Sequence, residues 1–134
     1  MVADMGRAMA FWCDACGFAT IVAVRDDGKT FDQSPVAGAN YVFAILTRDG
    51  VELMLQEEKN LRGELPGGLK ERAKGFSCTY YIEVEGVDAF HAHMSAKVAE
   101  RVRSAPKTSS YGMREFAVED PDGNVIVFAE RQQG

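Results

Sequence analysis

The chain has 134 residues, 46% of them apolar and 26% charged, with a net charge of −5. That length and balance describe one packed domain, or two small fused repeats, and exclude a disordered segment as the default. The acidic excess argues against a nucleic-acid backbone as partner, three cysteines argue against a secreted disulfide framework, and no apolar run approaches a membrane span. A cytoplasmic protein, with neither nucleic acid nor membrane as partner, is therefore expected.

Asp4 can cap a helix in which Met5, Ala8, Met9, Trp12 and Cys16 recur at helical spacing, and Gly17 is placed to end it. ATIVAV (19–24) reads as a β-branched strand and DQSPVAGAN (32–40) as a turn-rich loop. YVFAILT (41–47) and VELMLQ (51–56) read as two strands joined by Arg48-Asp49-Gly50, an Asp-Gly hairpin signal. The charged, glycine-bearing stretch 58–75 reads as a linker. It contains GELPGG (63–68), which lacks the Lys-Ser/Thr of a phosphate loop.

The second half repeats this order. FSCTYYIEV (76–84) reads as a strand, and VDAFHAHMSAKV (87–98) as a helix with Val87, Phe90, Met94 and Val98 inward. A further strand is expected near 100–104. MREFAVE (113–119) and NVIVFAE (124–130) form a hairpin around Asp120-Pro121-Asp122-Gly123, whose carboxylates read first as turn chemistry. The closing segments RDGVELMLQ and DPDGNVIVFAE look like versions of one unit. The expected fold class is α+β, with two tandem β-α-β-β-β modules, 1–57 and 76–134, within a single domain over 1–134.

DMGRAMAFWCDACGF (4–18) resembles the first-helix motif of the vicinal oxygen chelate superfamily, which includes glyoxalases, bleomycin resistance proteins and dioxygenases. GMREFAVEDPDGNVIVFAE (112–130) resembles the closing hairpin of that superfamily, and of its bleomycin-resistance branch in particular. The resemblance runs from residue 2 to residue 131. It implies curved mixed sheets that form a cleft, with helices on the outer faces, usually within a homodimer. The departure is at the start, where only Met1-Val2-Ala3 precedes Asp4 instead of a full strand.

Enzymes of the superfamily hold a divalent metal in the cleft to stabilise a developing oxyanion. The resemblance assigns the ligand positions to a residue upstream of Met1, then to Glu52, Thr79 and Val127. Thr79 and Val127 replace the usual ligands, so no metal, no cofactor and no catalytic residue is expected. His91 and His93, two apart on a helix, point in different directions and do not supply a substitute. The bleomycin-resistance branch sequesters a cationic aromatic antibiotic without metal, and a small-molecule-binding protein of that kind is the leading reading. A metal-dependent glyoxalase, lyase, isomerase or dioxygenase of the same fold is the alternative.

Strand alternation supplies the candidate cleft walls. If Asp49-Gly50 is a two-residue loop, Thr47 lies opposite Glu52. Tyr41, Phe43, Ile45, Met54 and Gln56 then share that face, while Val42, Ala44, Leu46, Leu53 and Leu55 pack on the helix. In the same way Ser77, Thr79, Tyr81 and Glu83 face the cleft, with Cys78, Tyr80, Ile82 and Val84 inward. Val127 and Ala129 lie on the cleft side of the last strand. A bulge near Asp120-Pro121 would flip Arg114 and Phe116, whose face stays open.

A third reading comes from Cys13 and Cys16. A redox Cys-x-x-Cys sits at a helix N-terminus, where the dipole lowers the thiol pKa. Here the pair lies in the last turn, and Cys16 continues the apolar stripe. Packing is the expected role.

Overall fold

The computed structural model describes residues 1–64 and 79–133. They form two compact units, one holding residues 1–64 and the other 79–133. Each is built around one four-stranded sheet with a helix on one face, the α+β organisation expected from the sequence; the first sheet is antiparallel where a mixed one was expected, and the second is mixed.

In the first unit the Asp4 carboxylate accepts from the Arg7 N–H at 2.8 Å and starts α1 (Met5–Met9). The helix then widens into a π-helical turn (Ala10–Ala15), in which the Cys16 N–H reaches the Phe11 carbonyl five residues back at 3.0 Å. Sequence periodicity did not signal this turn. It brings Phe11 and Ala15 into the core beside Met5, Ala8, Met9, Trp12 and Cys16. Trp12 packs edge-on against both Phe11 and Phe18, with ring centroids 5.4 and 5.2 Å apart. Gly17 ends the helix at φ +75°, and an Arg48 guanidinium N–H donates to the Cys16 carbonyl left open there.

Strands β1 (Ala19–Arg25), β2 (Phe31–Asp32), β3 (Tyr41–Arg48) and β4 (Val51–Gln56) form a sheet in the order β2-β1-β3-β4. Asp49 and Gly50 both have positive φ, 49° and 80°, as a two-residue type I′ hairpin requires. This turn fixes the register, so Thr47 lies opposite Glu52, Ile45 opposite Met54 and Phe43 opposite Gln56. Ala44, Leu46 and Leu55 are buried on the side where α1 packs over β3 and β4. Val2 makes a single parallel bridge to Glu57. Part of the stretch read as a linker is helical, as α2 (Glu58–Glu64); residues 65–75 lie outside the described residues.

The second unit has the order β5-β8-β7-β6, from β5 (Thr79–Glu83), β6 (Lys107–Thr108), β7 (Met113–Glu119) and β8 (Val125–Arg131). β5 runs parallel to β8, and β8 antiparallel to β7. The expected strand at 100–104 is instead a 3₁₀ turn (Ala99–Arg101) followed by a lone bridge from Val102 to Val118; the short strand lies further on, at Lys107–Thr108. Phe76, Ser77 and Cys78, read as the start of the fifth strand, lie outside the described residues.

α3 (Val87–Val98) buries Val87, Phe90 and Met94 and packs over β7 and β8. Phe90, Phe116 and Phe128 form its core cluster, with centroid separations between 4.8 and 5.9 Å. Gly86 offers no side chain to cap this helix. The Glu130 carboxylate of β8 takes that role, accepting from the Gly86 and Val87 N–H groups at 2.9 and 3.1 Å. Those two bonds hold the Glu130 carboxyl below the usual glutamate range.

The hairpin β7–β8 keeps one register from Met113–Arg131 to Glu119–Val125, without a bulge. This settles Phe116 toward the helix opposite Phe128, and Arg114 with it, where it pairs with Asp88 at 2.7 Å. Asp120 is buried and accepts from the Asp122 and Asn124 N–H groups and the Asn124 amide, so it is turn chemistry as read. One inward expectation fails. Tyr80 is 39% exposed, because β5 is an edge strand and α3 covers β7 and β8.

Candidate functional site

Among the described residues, each sheet has a helix on one face and an open face on the other. On the first unit's open face, cross-strand pairing builds three rows. Phe31, Val24, Phe43 and Gln56 form one; Val22, Ile45 and Met54 a second; Ala19, Thr47 and Glu52 the third. Phe31 is 64% exposed and Met54 60%, with Val22, Val24, Phe43 and Ile45 half-buried between them, so among the described residues this face presents apolar side chains to solvent with one carboxylate, Glu52, in the group. Phe31 escaped sequence reasoning because its two-residue strand is too short for periodicity to show.

Tyr41 departs from the alternation that grouped it with Phe43. The register of β1 against β3 shifts between Val24 and Arg25, so Tyr41 pairs with Arg25. Its ring is buried and its hydroxyl donates to Asp32 at 2.8 Å while accepting from the Val36 N–H at 2.9 Å. Arg25 grips the same carboxylate through two N–H groups, at 2.7 and 3.2 Å. The Arg25 guanidinium and the Tyr41 hydroxyl hold the Asp32 carboxyl below the usual aspartate range. Tyr41 thus braces the loop after β2.

On the second unit's open face, Tyr81, Val127 and Ala117 share one row, Thr79, Val125 and Glu119 another, and Glu83, Ala129, Glu115 and Lys107 the next. Glu115 holds a phenol on each oxygen. Tyr81 donates to Oε2 at 2.9 Å and Tyr111 to Oε1 at 2.6 Å. Tyr81 is 50% exposed and Tyr111 64%. Desolvation, and then the bond to Glu115, push the Tyr81 hydroxyl up to about 12; the bond to Glu115 also raises Tyr111. Sequence alternation found Tyr81 but missed Tyr111, in a turn, and Glu115, whose strand face was open.

The residues at the expected metal positions do not fit a divalent ion. Val127 carries no donor atom, Thr79 offers only a neutral hydroxyl, and Glu52 is an exposed strand carboxylate. Among the described residues no three His, Cys, Asp or Glu side chains gather as metal ligands would. His91 lies edge-on to Phe116 at 5.1 Å and has Ser95 Oγ 3.5 Å from Nε2, while His93 is exposed.

The first unit also contains a concavity of about 800 Å³ at the start of α1, lined by residues such as Asp4, Asn40, Tyr41 and Asn60. Of the sequence-predicted site residues it touches only Tyr41. Three of its polar side chains are engaged within the unit: Asp4 in the α1 cap, Asn60 with Gln56 at 2.7 Å, and Tyr41 with Asp32. The open sheet faces are the better candidate.

Cys13 is half-buried, with its sulfur 3.6 Å from the Thr20 hydroxyl, and burial pushes its thiol up. Cys16 is fully buried. A raised thiol pKa at a helix C-terminus is the reverse of what a reactive redox pair needs. No described helix is long and apolar enough to cross a membrane.

Comparison with known proteins places this geometry in context. The sequence model of the Glyoxalase/Bleomycin resistance protein/Dioxygenase superfamily matches residues 1–128. The chain is 29% identical over 138 aligned positions to bleomycin resistance proteins of Geobacillus stearothermophilus and Staphylococcus aureus, covering 97% of this chain and 91% of each relative. Among solved structures, a protein of unknown function from Agrobacterium tumefaciens superposes with a TM-score of 0.71 at 21% identity, covering 97% of this chain and 87% of that one. TnmS3, an antibiotic binding protein from Streptomyces sp. CB03234, superposes with a TM-score of 0.64 at 22% identity, over 98% and 89% of the two chains. At those identities the structural likeness is one of fold.

Proposed function

The chain belongs to the Glyoxalase/Bleomycin resistance protein/Dioxygenase superfamily, and from that premise we propose that it sequesters a small cationic aromatic molecule without metal. The superfamily and the bleomycin resistance relatives support small-molecule binding in general. The finer reading rests on one observation: the sheet faces opposite the helices carry exposed Phe31 and Met54 in the first unit, with Glu52 two residues from Met54, and exposed Tyr81 and Tyr111 bonded to Glu115 in the second. Aromatic and thioether surface beside negative charge suits a flat cation, through ring-face attraction and burial of apolar area.

In this reading Phe43, Ile45, Thr47, Glu52, Met54 and Gln56 contact the ligand in the first unit, and Thr79, Tyr81 and Val127 in the second. Tyr41 acts indirectly, by holding the loop that follows β2. A homodimer and a cytoplasmic location belong to the same proposal. Binding is stoichiometric and leaves the ligand unchanged in this reading, because Thr79 and Val127 stand at two of the family's metal positions in place of the usual ligands.

The test is thermal unfolding with and without a bleomycin-type glycopeptide, in the presence of a chelator. Ligand at about 100 times Kd raises stability by about 2.7 kcal/mol, and the midpoint rises with it. A midpoint unmoved by the glycopeptide and by other planar cations would remove the reading.

A further inference from the structure

We propose that Glu115, held between Tyr81 and Tyr111, is a cation-selecting subsite that favours N-alkylated or aromatic cations lacking an N–H on the charged nitrogen over primary ammonium and guanidinium ions. The proposal rests on the reading of the open sheet faces as the binding surface, and adds the chemistry by which one of them discriminates.

The geometry separates two kinds of cation. Both oxygens of Glu115 already accept short phenolic bonds, at 2.9 and 2.6 Å. A primary ammonium or guanidinium gives up hydrogen bonds to water on docking and must recover them from the protein. Here one acceptor position on each oxygen is already taken by a phenol, so fewer remain for it than on an unbonded carboxylate. A quaternary or ring-delocalised cation asks for no hydrogen bond. It needs ring surface and a nearby negative charge, and the exposed Tyr81 and Tyr111 beside Glu115 offer both.

The surroundings keep this arrangement in place. With its hydroxyl pushed up to about 12, Tyr81 stays protonated and remains a donor at neutral pH. The cross-strand neighbours of Tyr81 and Glu115 in β8 are the small Val127 and Ala129, and Ala117 of β7 completes the Tyr81 row, while Lys107 of β6 lies opposite Glu115 on its other side without an ion pair to it among the described residues.

The test compares benzyltrimethylammonium, benzylammonium and benzyl alcohol by amide chemical-shift titration of the full chain. The first should shift residues around Tyr81, Tyr111 and Glu115 saturably, with a Kd about threefold below benzylammonium and about tenfold below benzyl alcohol. Glu115→Gln should erase the preference for charge. Tyr81→Phe keeps the ring but frees one carboxylate oxygen, so benzylammonium should gain and the gap between the two cations should narrow; this variant carries the selectivity readout should Glu115→Gln not fold. Equal or tighter binding of benzylammonium to the unaltered protein, or a folded Glu115→Gln that keeps the preference for charge, overturns the assignment. If none of the three probes binds while a bleomycin-type glycopeptide does, only this subsite falls. If the glycopeptide fails as well, the binding reading falls with it.

Discussion

The two units share a plan and differ in what they show to solvent. In both, a helix covers one sheet face through large buried side chains: Trp12, Phe11 and Leu46 in the first, Phe90, Phe116 and Phe128 in the second. The uncovered faces diverge. The first is mostly aliphatic and aromatic with a single carboxylate, Glu52, whereas the second carries Tyr81 with Glu83, Glu115 and Glu119. Packing constrains the helix side of a strand tightly, because a lost methylene there leaves a void. The open side is free to change chemistry, and the proposed function puts binding specificity there.

This contrast can be broken from either side. The largest effect is expected on the covered side. Phe128→Ala should lower stability by about 3–5 kcal/mol, read by chemical denaturation, since a fully buried ring is removed from a three-phenylalanine cluster. Met54→Ala, on the open side, should change stability by no more than about 0.5 kcal/mol while weakening the ligand-induced rise in midpoint. A large stability loss from Met54→Ala would show that the open face is structural instead.

Smaller effects sharpen the comparison in the first unit. Asp27 accepts from the Thr30 hydroxyl and from the Thr30 and Lys29 N–H groups, which lower its pKa to about 2. A depressed folded-state value means that the turn bearing Phe31 gains stability above the ordinary aspartate pKa and loses it as pH falls toward about 2. NMR titration of the Asp27 carboxyl should place its midpoint there, and Asp27→Asn should remove that acid dependence. Thiol labelling near neutral pH should be slow at Cys13 and slower still at Cys16, as burial of both predicts. Fast labelling of the pair would return the redox reading.

Much of this contrast was legible in the sequence. Alternation across β3 and β4 separated Phe43, Ile45, Thr47, Glu52, Met54 and Gln56 from Ala44, Leu46 and Leu55, because Asp49-Gly50 permits one tight hairpin and that hairpin fixes the pairing. Features that depend on an extra residue were hidden. The π turn after α1 and the register shift beside Arg25 change facing without changing composition, so Phe11 and Tyr41 could not be placed by counting. Long-range contacts were hidden as well: Tyr81 and Glu115 are 34 positions apart, and nothing local in either strand announces the other. The face of Phe116 waited on whether the turn at Asp120 carried a bulge.

In the proposed function this protein holds its ligand and does not transform it. Calorimetric titration of chelator-treated protein with a bleomycin-type glycopeptide, followed by mass spectrometry of the recovered ligand, separates holding from turnover. The expected result is saturable, stoichiometric binding that the chelator does not weaken, with the ligand recovered at unchanged mass. Binding that appears only on adding a divalent metal, or a ligand recovered chemically altered, would contradict it.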